Sequence, residues 1–179
     1  MLALKLGKSL NSSKNALWFP SDESSLEAWY RKATGIQIAG YVTPESVSGW
    51  ADQSGNGHNM VQLTSSEMPT FPLGRSGSVY FDPSATQNLQ SASDISLSGN
   101  FTIGIRLNVA NTGGVVLGDN TADGEFFKIF STTKLRVKID NATAVDLELD
   151  SGVWGGYGYM VVIRDSNVLT LWWNGVEQT

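Results

Sequence analysis

Asp146, Glu148 and Asp150 stand at alternate positions in the run Asp-Leu-Glu-Leu-Asp. In an extended strand alternate residues line one face, so the run presents an acidic row of the kind that acid–base chemistry uses. A second group is Gly118-Asp119-Asn120-Thr121-Ala122-Asp123-Gly124. Asp119, Asn120 and Asp123 supply hard oxygen donors, the ligand type of calcium. Their spacing is not that of an EF-hand, and an ordinary Asn/Asp/Gly turn is the competing explanation. A third group runs from Val47 to Met60, with Trp50, Asp52-Gln53-Ser54-Gly55-Asn56-Gly57 and the single histidine, His58. Gly55 and Gly57 reach positive φ without steric cost, and Asp52, Ser54 and Asn56 can cap local backbone groups. His58 is assigned to ordering this loop. No G-x-S-x-G motif accompanies it, so a nucleophilic triad is unsupported.

Strand pairing weakens the catalytic reading of the acidic row. A hairpin of residues 134–140 with 144–150, turning at Asn141-Ala142-Thr143, sets Leu135 against Leu149, Val137 against Leu147 and Ile139 against Val145. The other face then opposes Lys134 to Asp150, Arg136 to Glu148 and Lys138 to Asp146. A two-residue loop would put Val137 against Asp146 and mix the faces, so the three-residue loop is favoured. A cation beside each carboxylate lowers its pKa, which works against a general acid. No catalytic residue is therefore assigned.

These groups need an all-β scaffold, and composition favours one. The 179-residue chain is 16% charged and holds 19 glycines, a mix that suits short strands and tight turns and argues against a helical bundle. Its net charge of −5 offers no basic footprint for nucleic acid. The absence of cysteine removes disulfides and thiolate–zinc sites, and one histidine excludes a multi-imidazole zinc site. No apolar run approaches the ~20 residues of a membrane helix, so membrane insertion is not expected. The opening Met-Leu-Ala-Leu-Lys-Leu-Gly lacks the apolar core and cleavage site of a signal peptide. Asn11, Asn100 and Asn141 head glycosylation sequons that are accordingly read as coincidental.

Residues 1–20 read as a leader whose Leu2, Leu4 and Leu6 alternate as in a strand, and residues 21–179 as one domain. Leu26, Trp29 and Tyr30 have helical spacing, but a strand over 26–32 fits nearly as well. Further strands are expected at 59–63, 78–82, 88–91, 101–109, 114–117, 125–130, 134–140, 144–150, 159–164 and 168–173. Short strands at regular spacing, separated by turn residues, describe an all-β antiparallel sandwich.

The stretch Trp50-x-Asp52-x-Ser54-Gly55-Asn56-Gly57 resembles the N-terminal signature of the concanavalin A-like lectin/glucanase superfamily, in its laminin G-like branch. Leu26-x-Ala28-Trp29-Tyr30 is similar to the first strand of that branch, and residues 159–175 to its C-terminal hairpin, closed by Asn174-Gly175. The resemblance implies a jelly-roll sandwich, makes 26–32 a strand, and points to glycan binding with calcium as a candidate cofactor at the rim. Glucan-cleaving members carry an E-x-D-x-E strand; Asp-Glu-Asp at 146–150 departs from it. The family continues beyond Asn-Gly to a closing strand beside the first one. Here that strand is expected to be missing, which leaves an unpaired edge. The leader strand, a neighbouring copy or further chain could satisfy it; an oligomer or a truncated chain is favoured.

In the hairpin at 159–173, turning at Asp165-Ser166-Asn167, the register pairs Met160 with Trp173, Val162 with Leu171 and Arg164 with Leu169. Tyr159, Val161, Ile163, Thr170 and Trp172 fall on the opposite face. Both faces are apolar, and such a strand expects cover on both. Trp172, Tyr159 and Asn174 are the candidate ligand residues, since an aromatic ring takes the apolar side of a sugar and an amide its hydroxyls. Trp29, Trp50, Trp154 and Trp173 are assigned to packing. The expected function is a non-catalytic carbohydrate-binding module. In style it resembles structural proteins of tailed bacteriophages, implying a virion or extracellular location. The alternative is a virion assembly protein whose apolar face contacts another subunit, most simply as a homo-oligomer.

Overall fold

The computed structural model describes residues 2–4, 20–40, 45–71, 77–119, 124–139 and 143–179. Within them the chain is nearly all β, with antiparallel sheets and only two single-turn 3₁₀ segments, Pro20–Asp22 and Ser65–Glu67. It divides into two compact units, Met1–Ser96 and Leu97–Thr179.

The first unit contains β1 (Leu2–Leu4), β2 (Ala28–Tyr30), β3 (Ile36–Ala39), β4 (Glu45–Trp50), β5 (Met60–Val61), β6 (Thr70–Phe71) and β7 (Gln90–Ser91). Residues 28–30 are extended, so strand wins over helix where the apolar spacing allowed both. β1 pairs antiparallel with β2, Leu2 opposite Tyr30 and Leu4 opposite Ala28. The leader strand, one of the three expected remedies, thus supplies a partner for β2. The remaining strands order as β3-β4-β5-β7, with β6 also on β4. Ala28, Tyr30 and Val47 are wholly buried, with Trp29 and Met68 close to it. The expected strand at 78–82 reduces to one bridge, Thr70 to Tyr80.

The second unit contains β8 (Phe101–Asn108), β9 (Val115–Gly118), β10 (Phe126–Ile129), β11 (Lys134–Lys138), β12 (Val145–Glu148), β13 (Tyr157–Asp165), β14 (Val168–Trp173) and β15 (Val176–Gln178). One run of strands is β15-β14-β13-β8 and the other sheet is β12-β11-β10-β9. Ile103, Met160, Val162 and Leu171 alternate inward from the first, and Phe127, Leu135 and Val137 from the second; all are essentially inaccessible. Phe101 meets Phe127 edge-on, centroids 6.1 Å apart, so the two apolar faces share one core. Each such side chain contributes about 1.5–3 kcal/mol by leaving water.

Two-residue turns set the C-terminal registers. Ser166 and Asn167 both have positive φ, as do Asn174 and Gly175. That is the geometry whose twist matches an antiparallel pair. Asn100 braces the first turn, donating from Nδ2 to Asp165 and accepting from the Ser166 N–H. β13 and β14 pair in the expected register, Met160 with Trp173 and Val162 with Leu171. After Asn174-Gly175 the chain forms β15 against β14.

The hairpin of β11 and β12 departs from expectation by two positions: Lys134 faces Glu148, Leu135 faces Leu147, and Arg136 faces Asp146. A shift of two preserves every residue's face, so hydrophobic patterning does not distinguish the registers. Leu149 leaves the ladder instead, and its N–H bonds Thr133 O. The expected turn at Asn141-Ala142-Thr143 lies mostly outside the described residues, as do Asn120 and Asp123.

Candidate functional site

The Trp50–His58 loop turns its polar groups onto the chain itself. Asp52 accepts the Trp29 N–H at 2.8 Å, the Ser54 N–H at 2.9 Å, the Ser54 hydroxyl at 2.6 Å and the His58 N–H at 3.2 Å. Burial pushes its carboxyl up, but these bonds outweigh burial and hold it below the usual carboxylate range. Asn56 Nδ2 donates to Leu26 O and Glu27 O, and Ser54 Oγ lies 3.1 Å from Glu27 O. Trp50 Nε1 is shared between Arg31 O and Thr34 O. The Tyr30 hydroxyl donates to His58 O, and His58 Nδ1 lies 2.8 Å from Ser93 Oγ. Burial and the Asp52 charge raise the Tyr30 phenol above its ordinary range. The motif thus staples β2 to the loop, reaching well beyond the local caps expected of it.

The acidic row sits beside a cleft of about 310 Å³ lined by Asp146, Glu148, Leu169, Leu171, Gln178 and Thr179. Arg136 makes a two-pronged pair with Asp146, Nε to Oδ1 at 2.7 Å and a second nitrogen to Oδ2 at 3.0 Å. That hydrogen bonding and charge hold the Asp146 carboxyl below its ordinary range. Lys134 Nζ stands 3.4 Å from Glu148. Asp150 has a different partner from the expected lysine, taking the N–H and hydroxyl of Thr179 at 2.7 and 2.9 Å. Asp146 is therefore held as an anion, the opposite of the raised pKa a general acid requires.

Of the calcium candidates, Asp119 is described. Its Oδ2 accepts the Glu125 N–H at 3.0 Å, and its carboxylate fills the space a side chain at Gly124 would need. Asp119 closes its own loop. Among the described residues no group of three or more His, Cys, Asp or Glu side chains could hold a metal.

The three ligand candidates do converge. Asn174 Oδ1 accepts the Tyr159 N–H at 2.9 Å, and the Asn174 N–H donates to Tyr159 O at 2.8 Å. Val161 opposes Trp172 across β13 and β14, placing Trp172 on the face of Tyr159, one pleat further along. Asn174's oxygen is thus committed to the turn, and the aromatic rings of Tyr159 and Trp172 are what this group presents on the sheet face.

Register completes that face. Tyr157 pairs with Asn108, Tyr159 with Arg106, Val161 with Gly104 and Ile163 with Thr102. Exposure falls along the rows: Tyr157 and Tyr159 are 52% and 56% exposed, whereas Val161 and Ile163 are half-buried and Thr102 is 9% exposed. The Arg106 guanidinium lies 5.4 Å from the Tyr157 ring centre and 5.6 Å from that of Tyr159. Glu177 faces Trp172 from β15. Tyr157 and Arg106 were not singled out in the sequence. Tyr157 follows Gly155-Gly156 and precedes the expected strand at 159–164, which in the structure begins two residues earlier; its i, i+2 spacing to Tyr159 is the available signal.

Trp173, on the opposite side of β14, packs edge-on against Trp154 with centroids 5.0 Å apart and covers Gly158. Trp154 and Trp29 are buried as expected, whereas Trp50 and Trp173 are half-buried. No protein-family model matches this chain, and neither curated proteins nor solved structures give a match.

Proposed function

We propose that this protein is a non-catalytic β-sandwich module of the concanavalin A-like, laminin G-like kind that binds glycan on the outer face of β8, β13 and β14. The observation that carries the reading is the row of Tyr157 and Tyr159, both more than half exposed, continuing into half-buried Trp172 on one sheet face. Exposed rings fixed by a sheet offer flat apolar area with little ordering cost, and the register surrounds them with Asn108, Arg106 and Glu177 for hydroxyls. Support for the jelly-roll family is the Trp50-to-Gly57 motif and the shared core of the second unit; fold alone would not supply the function. A setting on a tailed-phage virion rests on the layout of a leading strand followed by a sandwich.

A glycan array probed with wild type and Trp172→Ala tests the reading. Binding by wild type and its loss in a folded variant are expected; no binding by folded wild type would reject it. The half-buried apolar residues Val161 and Ile163 on the same face favour the second reading, an assembly contact between subunits. That reading predicts instead that Trp172→Ala changes the sedimentation coefficient.

A further inference from the structure

Two arginines in the second unit lie against aromatic rings, and their surroundings differ in one respect. Arg136 sits 3.4 Å from the centre of the Phe130 ring and also grips the Asp146 carboxylate with two nitrogens. Arg106 lies over Tyr157 and Tyr159, yet among the described residues no carboxylate pairs with it. It is exposed, on a strand rather than a loop, and opposite Tyr159 in the ladder. The two rings restrict the plane of a group that offers five donors in a rigid fork. A fork so positioned matches a planar carboxylate, which it can take through two parallel N–H···O bonds.

We propose that Arg106, flanked by Tyr157 and Tyr159, is an acid-recognising subsite, and that the glycan taken by this face carries carboxylate sugars. The inference rests on the glycan-binding reading above and narrows its substrate class. The tyrosine rings take the apolar sides of adjacent sugar rings, and Arg106 takes the carboxylate. Glu177, beside Trp172 and away from Arg106, repels a second acid and accepts hydroxyls instead. The site thus has a direction: acidic sugar at the Tyr157 end, neutral sugar at the Trp172 end. The chain's net charge of −5 disfavours non-specific attraction of polyanions, so selectivity must come from this contact.

The test is an array holding galacturonate, glucuronate and mannuronate oligosaccharides, the methyl esters of the same chains, sulfated dextran fragments and neutral glucans. It is probed with wild type, Arg106→Gln, Arg106→Lys and Tyr159→Ala, each checked for a native melting transition. We expect an unesterified uronate chain to bind about tenfold or more tightly than its ester. That preference should vanish in Arg106→Gln and recover only partly in Arg106→Lys. Preference for neutral glucans, lost in Tyr159→Ala but untouched by Arg106→Gln, would overturn the acidic subsite while sparing the glycan-binding face. A preference for sulfated chains over uronates would overturn the carboxylate assignment. Binding to nothing on the array would overturn both readings together.

Discussion

Asn174 and Tyr159 exchange two hydrogen bonds: the Asn174 side-chain oxygen takes the Tyr159 N–H at 2.9 Å, and its own N–H reaches Tyr159 O at 2.8 Å. The turn that closes β14 onto β15 is therefore fastened to the strand that carries the exposed tyrosines. Asn174 has φ +52°, a conformation asparagine tolerates better than most residues. Asn174→Ala should lose both the acceptor and that tolerance, costing about 1–2 kcal/mol in urea unfolding. Asn174→Gly should lose the acceptor alone and cost less. Equal losses would show that the positive φ contributes nothing, and no loss in Asn174→Gly would show the same of the side-chain oxygen.

Asp52 gives the fold a defined acid sensitivity. Its folded pKa lies below the unfolded value of about 3.9, so its contribution is complete above that pH and is lost as pH falls through the folded value. At pH 7 Asp52→Asn should be less stable than wild type by about 1.5–3 kcal/mol, since the amide cannot accept from so many donors at once. The gap should close on acidification below about pH 4. A gap that stays constant from pH 7 to the acid limit would contradict the role assigned to the ionised carboxylate.

Gly158 and Trp173 are sterically coupled, because a Cβ at 158 would fall inside the indole. Gly158→Ala should destabilise by about 1–3 kcal/mol through overpacking. In a Trp173→Ala background most of that cost should disappear. Additive effects in the double-mutant cycle would mean the strain arises elsewhere.

The acidic row should be chemically silent. Asp146→Asn combined with Glu148→Gln should leave glycan affinity unchanged, since both residues lie on β12 and their charges are already met by Arg136 and Lys134. Hydrolysis of laminarin or lichenan by wild type, abolished in that variant, would reinstate a catalytic reading.

Much of the fold was legible where side-chain chemistry and period agreed. Apolar residues on both faces of 159–164 and 168–173, with a turn-forming Ser-Asn pair between, left one register for β13 and β14. The β11–β12 hairpin was not fixed in the same way. A slide of two residues keeps Leu135 and Val137 inward, and the choice depends on where Arg136 finds Asp146. β4 carries little apolar signal because Ser46, Ser48 and Gly49 interrupt it, and Val47 is its one deeply buried apolar side chain; β3 is only four residues long, with Ile36 and Ile38 its whole alternation. Within the candidate site, Tyr159 and Trp172 followed from alternation. Arg106 did not, because its importance comes from lateral pairing with Tyr159, which no local pattern in β8 encodes.

The most direct test of the glycan-binding face is amide and indole chemical-shift mapping during titration with the tightest array ligand. The shifts should concentrate at Arg106, at residues 157–161 and at the Trp172 indole N–H, and disappear in Tyr159→Ala. Shifts concentrated instead at residues 119–125 or at Asp146 and Glu148, with residues 157–161 unmoved, would contradict it.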